Sequence, residues 1–158
     1  AIEGKAKVLA VNTQTNAANA GYNLITKYFN PNYVCLDESE VRLAAQKKHS
    51  DIEEIAQCIR ESLNAHYLIV TMGKGGSLGV NSEGKINRTP VFSTQVVDTI
   101  GAGDAFFAFT APCFAQGLPL DLVSFFGNAV GALAVQIVCN KRAIEKDELL
   151  NFINTLVK

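Results

Sequence analysis

The sequence lacks any apolar run of membrane length. Its longest apolar stretches, such as residues 129–135, are far shorter than the roughly 20 residues that a membrane-spanning helix needs. The N-terminus has no basic segment followed by an apolar one, so a secretory signal peptide is not expected there. An excess of charge is also absent, since 14 Lys and Arg face 15 Asp and Glu. These absences argue against a membrane, secreted or nucleic-acid-binding protein.

Cysteine pairs with metal-binding spacing are missing as well. Cys35, Cys58, Cys113 and Cys139 are far apart in the sequence, form no CxxC motif, and in three cases lie within apolar stretches. We therefore expect reduced, mostly buried thiols in a cytoplasmic protein, without structural zinc.

The length of 158 residues suits one domain, and the sequence contains no internal repeat or low-complexity linker. Residues 1–4 carry no initiator methionine and lead directly into an apolar segment. We expect that a preceding portion of the protein is missing from this sequence.

Short apolar runs alternate with segments of helical periodicity in the first half of the chain. This alternation predicts an α/β fold in which parallel strands are joined by crossover helices. The predicted strands are 7–12, 33–36 and 67–71, and the predicted helices are 17–28, 40–47 and 51–63, with Ser50 as the cap of the last.

The second half changes character. Residues 78–81 and 85–91, joined by a polar turn, predict a short antiparallel hairpin added to the parallel sheet. Helices are predicted at about 103–116, 121–138 and 145–157. The middle one is apolar nearly all round, so we expect it to be buried.

The stretch with most chemical content is 97–106, where two glycines and two aspartates lie between a strand-like run and a helix. Gly101 and Gly103 allow a sharp turn and a close approach of the backbone to a ligand. The first amides of a helix have no intrahelical partner, so they can hold a phosphoryl group. Asp104 lies in the same first turn. It is either a helix-start residue favoured by the macrodipole, worth about 0.3–1 kcal/mol, or a general base beside an anion site.

Residues 98–106 favour the second interpretation because they resemble the signature Asp-Thr-x-Gly-Ala-Gly-Asp-x-Phe of the ribokinase-like (PfkB) carbohydrate kinase family. The resemblance implies a ribokinase-like fold, a parallel sheet flanked by helices. It implies that Asp104 takes the proton from the acceptor hydroxyl. It also implies that the amides of Gly101, Ala102 and Gly103 stabilise charge on the transferring phosphoryl group.

Two further segments resemble nucleotide-binding parts of the family. In residues 69–76, Thr71, Gly73 and Gly76 fall on positions that carry nucleotide contacts, which implies ATP as the cofactor. Lys74 receives no phosphate role, because the loop lacks the Gly-Lys-Ser/Thr ending of a P-loop. In the small-residue helix that follows later, Asn128 matches another nucleotide-contacting position, although small residues are also typical of close helix packing.

The segment 35–40 resembles the family's Asn-x-x-Glu motif, with Asp37 where the family usually has Asn. The resemblance implies that Glu40, together with Asp37, helps to organise Mg²⁺ and its water shell near the phosphates. The alternative is an acidic helix start without a metal role.

The resemblance also implies a potassium site, to which Asp98 and the carbonyl of Ile100 would contribute. In the other part of that site the sequence departs from the family, because Cys139 lies in a region where the family commonly has a glycine-containing loop.

The resemblance covers essentially the whole chain but only about the C-terminal half of a typical member, so most sugar contacts would lie elsewhere. We expect a fragment of an ATP-dependent kinase for a sugar hydroxyl that is weak or inactive alone. Within the family, the polar residues 12–16 and the Asp37–Glu40 variant resemble the heptose-kinase-like branch linked to nucleotidyltransferase modules. Exposed strand edges would favour a homo-oligomer or instability. Nucleoside and vitamin-precursor kinases of the same family, and a non-catalytic nucleotide-binding or regulatory module, are the alternatives.

Overall fold

The computed structural model describes residues 5–15, 18, 20–93 and 95–158. The strands are β1 (Ala10–Asn12), β2 (Tyr33–Asp37), β3 (Tyr67–Thr71), β4 (Ser77–Asn81) and β5 (Ile86–Thr89). The helices are α1 (Glu38–Ala45), α2 (Ile52–Leu63), α3 (Ala102–Ala115), α4 (Leu120–Ala134) and α5 (Lys146–Leu156). Single 3-10 turns occur at Ile25–Lys27, Gly73–Gly75 and Val138–Asn140.

The five strands form one mixed sheet in the order β1-β2-β3-β4-β5. The first three strands are parallel, and β4 and β5 continue the sheet as an antiparallel hairpin. The predicted combination of parallel strands with a short antiparallel addition is therefore confirmed. Asp37 and Thr71 are partners in register, so β2 and β3 end side by side at the same edge of the sheet.

Helices cover both faces of the sheet because the central strands are apolar on both sides. Along β2, Val34 and Leu36 belong to the core shared with α1 and α2, whereas Tyr33 and Cys35 face α3 and α4. The helix α4 buries most of its residues, as its all-round apolar character predicted, and α5 packs on it through a third apolar cluster. The pair α3 and α4 is unusually close at Gly127, where an added Cβ would lie 2.4 Å from the ring of Phe106.

The cap of α2 differs from the prediction. Asp51, not Ser50, is the N-cap, and its carboxylate accepts hydrogen bonds from the amides of Glu53 at 2.8 Å and Glu54 at 3.2 Å. A carboxylate is favoured at this position because it accepts two unpaired amides and interacts with the positive end of the helix dipole. The helix ends at Leu63 and is followed by Asn64 in the left-handed conformation.

The helix predicted at 17–28 is wrong for the residues that the structure describes. Residues 20–23 form turns and bends, with Gly21 at a φ of +80°, and only Ile25–Lys27 makes a 3-10 turn. Glycine at positive φ and asparagine-rich composition favour turns over a regular helix. Ala17 itself and the predicted N-terminal truncation at residues 1–4 lie outside the described residues.

Two further expectations are corrected, one about the length of a helix and one about the burial of the cysteines. The helix predicted at 121–138 ends at Ala134 as α4, and a separate 3-10 turn follows at Val138–Asn140. Cys35 is buried and Cys113 half-buried, but Cys58 and Cys139 are exposed, so the thiols are not mostly buried. All four cysteines are free. Within the described residues, no helix is both long and apolar enough to cross a membrane.

Candidate active site

A cleft of about 650 Å³ opens where β2 and β3 end, between the start of α3 and the loop that joins β3 to β4. A smaller polar pocket of about 170 Å³ adjoins it. The cleft wall includes the predicted site residues Asp37, Thr71, Gly73, Gly76, Ala102, Gly103 and Asn128. The small pocket includes the predicted residues Glu40, Gly101 and Asp104, and it shares Asp37, Thr71 and Gly103 with the cleft. Of the predicted site residues, Asp98 and Ile100 alone lie outside both linings.

The start of α3 has the features expected of an anion site. Gly101 occupies the N-cap with a φ of +78°, a left-handed conformation that glycine adopts without strain. No side chain among the described residues caps this helix, so the amides of its first turn have no intrahelical partner. The amide of Ala102 has a partner outside the helix, since it donates to the carbonyl of Thr99 at 3.3 Å. An added Cβ on Gly103 would meet nothing within 4 Å, so the space in front of this turn is open.

The strand-like run predicted before this turn does not form a strand in the described residues 95–100. The amides of Val97 and Asp98 instead donate to the carbonyl of Val135, at 2.8 and 3.0 Å. The loop therefore rests on the end of α4 rather than on the sheet.

Asp104 lies in the first turn of α3 with its side chain exposed to the small pocket. Its Oδ1 atom accepts a hydrogen bond from Nε2 of Gln14 at 3.4 Å. Gln14 follows β1, so three segments that are remote in sequence line the small pocket together: the end of β1, the start of α1 and the start of α3.

Asp37 and Glu40 form a capping box at the start of α1. Oδ1 of Asp37 accepts the amide of Glu40 at 2.8 Å, and Oε2 of Glu40 accepts the amide of Asp37 at 2.9 Å. The other oxygen of Glu40 accepts the amide of Thr15 at 2.9 Å. The acidic helix start is therefore present in full, and Glu40 also fastens the segment after β1 to the end of β2.

Glu40 is nearly buried, with 8% of its surface exposed. Burial raises the pKa of its carboxyl above the ordinary value, and the negative charges of Asp37 and Asp104 raise it further. The hydrogen bonds from the amides of Asp37 and Thr15 act in the opposite direction. The cluster thus combines three carboxylates at one end of the sheet.

The residues around the small pocket are suited to Mg²⁺ but do not enclose it. Among the described residues, no group of three or more His, Cys, Asp or Glu side chains could hold a metal ion directly. Magnesium commonly keeps several waters and uses one or two carboxylates plus substrate phosphates. Asp37 and Glu40 supply oxygens of the right kind for contact with such a hydrated ion.

The loop after β3 forms the wall opposite α3. Gly73 has a φ of +53° and Gly76 a φ of +78°. An added Cβ on Gly76 would lie 2.0 Å from the carbonyl oxygen of Thr89, so this glycine is required by the close approach of β5. Lys74 also lines the cleft, and it is the one cationic side chain among the residues that line the cleft and the small pocket.

Asn128 lies on the back wall, on α4. Its Nδ2 atom donates to Oγ of Ser77 at 2.6 Å and to the carbonyl of Ser124 at 2.8 Å. Both amide hydrogens are therefore used to join α4 to β4, and only the side-chain oxygen can serve as an acceptor towards the cleft. Gly131, one turn later, also lines the cleft, and an added Cβ there would meet nothing within 4 Å.

Asp98 joins the loop before α3 to the segment after α4. Its two carboxylate oxygens accept the amides of Ile100 at 3.0 Å and Cys139 at 2.8 Å. The hydrogen bond from the amide of Ile100 lowers the pKa of Asp98 most, and the one from the amide of Cys139 lowers it further. Cys139 has a φ of +47°, a conformation that favours the glycine common at this place in the resembling family. Ile100 is 62% exposed.

Two residues of the site were not assigned from the sequence. Lys74 receives no phosphate role from the sequence because its loop is not a P-loop. Its position in a loop that follows a strand end is nevertheless a signal for a site residue. Gln14 lies in a polar segment after a strand, and carboxyl ends of parallel strands meet at one edge of a sheet. Its contact with Asp104, 90 positions away, could be found only from the fold.

The architecture and the open helix start beside an acid define a ribokinase-like α/β protein. A family model described as pfkB family carbohydrate kinase matches residues 6–139, and the chain belongs to this family.

Individual proteins agree with this assignment. The uncharacterized sugar kinase YegV of Escherichia coli is 34% identical over 119 residues, which are 74% of this chain and 36% of that protein. Phosphofructokinase-2 from Escherichia coli, solved with substrates and products, superposes with a TM-score of 0.77 at 22% identity, over 96% of this chain and 48% of that one. A ribokinase from Thermotoga maritima superposes with a TM-score of 0.70 at 25% identity, over 78% of this chain and 42% of that one. The chain thus spans less than half the length of these relatives.

Proposed function

We propose that this chain carries the nucleotide-binding and catalytic residues of an ATP-dependent carbohydrate kinase. The observation that supports this most directly is the uncapped start of α3, which opens into the cleft with Asp104 in its first turn. Such a helix start stabilises a phosphoryl group, and an adjacent carboxylate can accept a proton.

In the proposed reaction, an acceptor hydroxyl attacks the γ-phosphorus of ATP and the bond to the β-phosphate oxygen breaks, which releases ADP. The proton of the hydroxyl passes to Asp104. The first-turn amides of α3, around Gly101, Ala102 and Gly103, stabilise negative charge on the transferred group. Because the Ala102 amide donates to Thr99 in this structure, we assign the larger share to the amide of Gly103.

The nucleotide is placed along the cleft between α4 and the β3–β4 loop. Thr71, Gly73 and Gly76 shape the loop that the phosphates follow, and Asn128 offers its side-chain oxygen at the back wall. Lys74, which lines the cleft, supplies a positive charge for the phosphates in this arrangement.

Magnesium, when bound with ATP, neutralises phosphate charge. Asp37 and Glu40 would contact it through water, since the oxygens of Glu40 already accept two main-chain amides.

A potassium ion at Asp98 and the carbonyl of Ile100 is part of the proposal, as phosphofructokinase-2 from Escherichia coli has been solved in complex with potassium. The test compares the turnover rate in potassium chloride with that in choline chloride at equal ionic strength. Equal rates would remove the potassium ion from the proposal.

The share of its relatives that the chain spans supports a further proposal about the whole protein. We infer that residues 1–158 form the C-terminal portion of a kinase domain and that a further portion supplies most sugar contacts. The isolated chain is then expected to bind nucleotide weakly and to turn over slowly. Association into a homo-oligomer is also proposed, since a tetrameric form is described for phosphofructokinase-2 from Escherichia coli.

The activity test uses the protein at its full encoded length with MgATP and a panel of acceptors. The panel holds ribose, fructose 6-phosphate, a heptose and adenosine, so that it separates sugar kinases, including the heptose-kinase-like branch, from nucleoside kinases of the same family. ADP release that depends on one acceptor identifies the substrate class.

The decisive variant is Asp104→Asn. We expect turnover to fall by about 10²–10⁴-fold while the dissociation constant for MgATP stays within about threefold. Asp121→Asn is the matched control, because Asp121 is the exposed first-turn acid of α4, away from the cleft. Unchanged turnover in Asp104→Asn would favour the alternative, a non-catalytic nucleotide-binding module.

A further inference from the structure

Gln14 contacts the acid of the site from a segment that the proposed mechanism does not use. Its Nε2 atom lies 3.4 Å from Oδ1 of Asp104, and both side chains line the small pocket beside the cleft. This distance is long for an N–H···O bond, but catalytic hydrogen bonds are often long without substrate and shorten in the complex.

The segment that carries Gln14 is held on both sides. Before it, Val11 in β1 and Thr13 are buried, with 6% and 2% of their surfaces exposed. After it, the amide of Thr15 donates to Oε1 of Glu40 at 2.9 Å. Glu40 is itself fixed by the capping box of α1. The main chain around Gln14 is therefore anchored to the sheet and to α1, and its side chain reaches the start of α3 from a defined origin.

The chemistry of a glutamine suits this place. Its amide group donates to one carboxylate oxygen without adding charge, so Asp104 keeps its capacity to accept a proton. A hydrogen bond to Oδ1 fixes the rotation of the carboxylate and leaves Oδ2 for the acceptor hydroxyl. A lysine would neutralise the base, and a second acid would repel it. The site already places Asp37 and Glu40 near Asp104, so a further acid at position 14 would add repulsion, whereas the neutral amide of Gln14 adds none.

We propose that Gln14 is a positioning residue for Asp104, held in place by the bond between Glu40 and Thr15. This inference rests on the proposed function, because it assigns Gln14 a role in orienting the general base of that reaction. It adds a residue from the end of β1 to a site that the sequence motifs confine to later segments.

The kinetic test compares Gln14→Met and Gln14→Glu in the full-length protein with MgATP and the acceptor that the panel identifies. Methionine keeps the length of the side chain but cannot donate, and glutamate replaces the donor by a negative charge. We expect kcat to fall about tenfold to a hundredfold in Gln14→Met, and further in Gln14→Glu, with the KM for MgATP within about twofold. In the Asp104→Asn background, Gln14→Met should cost less than about twofold, because the group that it orients is gone.

Gln57→Met is the matched control, since Nε2 of Gln57 makes a bond of similar length, 3.3 Å, to the carbonyl of Gly84 far from the cleft. Its kcat should equal that of the unmodified protein. A merely structural role for Gln14 would lower the melting temperature and alter kcat and KM together in both backgrounds.

A second measurement does not require activity. In the full-length protein labelled with ¹⁵N at glutamine side chains, the signal lost in Gln14→Met identifies Gln14, and this signal should move in Asp104→Asn while that of Gln57 stays. Two results would overturn the positioning role alone. One is a Gln14 signal that does not move in Asp104→Asn. The other is an unchanged kcat in Gln14→Met while phosphoryl transfer still depends on Asp104. Absence of any Asp104-dependent transfer would overturn the proposed function and this role with it.

Discussion

Oδ2 of Asp98 accepts the main-chain amide of Cys139 at 2.8 Å, across 41 positions of sequence. In a continued α4 helix, that amide would donate to the carbonyl of Val135, four residues earlier. The carbonyl of Val135 instead accepts the amides of Val97 and Asp98. The exchange of partners ends the helix four residues earlier than its apolar pattern predicted, and it places Cys139 in a left-handed conformation with a φ of +47°.

The first prediction concerns this conformation. A residue with a Cβ is strained at such a φ by about 1–2 kcal/mol, whereas glycine is not, although glycine also gains entropy on unfolding. We expect Cys139→Gly to increase the free energy of unfolding by about 0.5–1 kcal/mol in urea denaturation. Cys139→Ala keeps the Cβ and removes the thiol, so it should not stabilise. A gain in the alanine variant equal to that in glycine would show that the backbone is not the cause.

The second prediction separates two glycines with the same φ of +78°. An added Cβ on Gly76 would lie 2.0 Å from the carbonyl oxygen of Thr89, whereas one on Gly84 would meet nothing within 4 Å. Gly84→Ala should therefore cost about 0.5–1 kcal/mol, because the strain of a Cβ at this φ is partly offset by the lower entropy of alanine in the unfolded chain. Gly76→Ala should cost at least about 2 kcal/mol more, because β5 must move away from the loop. Equal urea midpoints for the two variants would contradict this reading of the loop.

The third prediction concerns Lys74, the cation that lines the cleft. Lys74→Met keeps much of the apolar stem and removes the charge, so the dissociation constant for MgATP should rise about tenfold, a loss of about 1.4 kcal/mol. Lys85→Met, on the exposed turn of the hairpin, should leave it unchanged. Titrations at low and high salt supply a check, because the difference between Lys74→Met and the unmodified chain should shrink as salt screens the charge.

The fourth prediction follows from the raised pKa of Glu40, which burial causes and neighbouring charges increase. Between the ordinary pKa of a glutamate and the raised one, the folded state holds more protons than the unfolded state. The contribution of Glu40 to stability is therefore largest at low pH and is lost as pH rises through this interval.

Glu40→Gln removes that titration together with one acceptor for the main-chain amides. We expect it to destabilise the chain by about 1–3 kcal/mol at pH near 4 and by less at pH near 7, in urea denaturation of both proteins. A penalty that grows with pH would mean that the carboxylate is better stabilised in the folded state than in water.

The sequence allowed most of the element order to be predicted, because apolar runs and their spacing reflect the two-faced burial of the sheet. It also allowed the signature around Asp104 to be placed at a helix start. Errors arose where a long-range contact outweighed local pattern. Asp98 takes the amide of Cys139 and ends α4. The cap of α2 was misplaced for a local reason, because Asp51 accepts two amides of the first turn and Ser50 is not the cap. The contact of Gln14 with Asp104 has no local signal at all.

Gly127 allows α3 and α4 to pack closely against each other. The ring of Phe106 and the methyl group of Thr110 occupy the space that a larger residue would fill at Gly127, with gaps of 2.4 and 2.7 Å to an imagined Cβ. Sliding of one helix along the other is blocked by this fit. The α4 wall of the cleft and the first turn of α3 are therefore expected to keep their separation whether or not the nucleotide of the proposed reaction is bound.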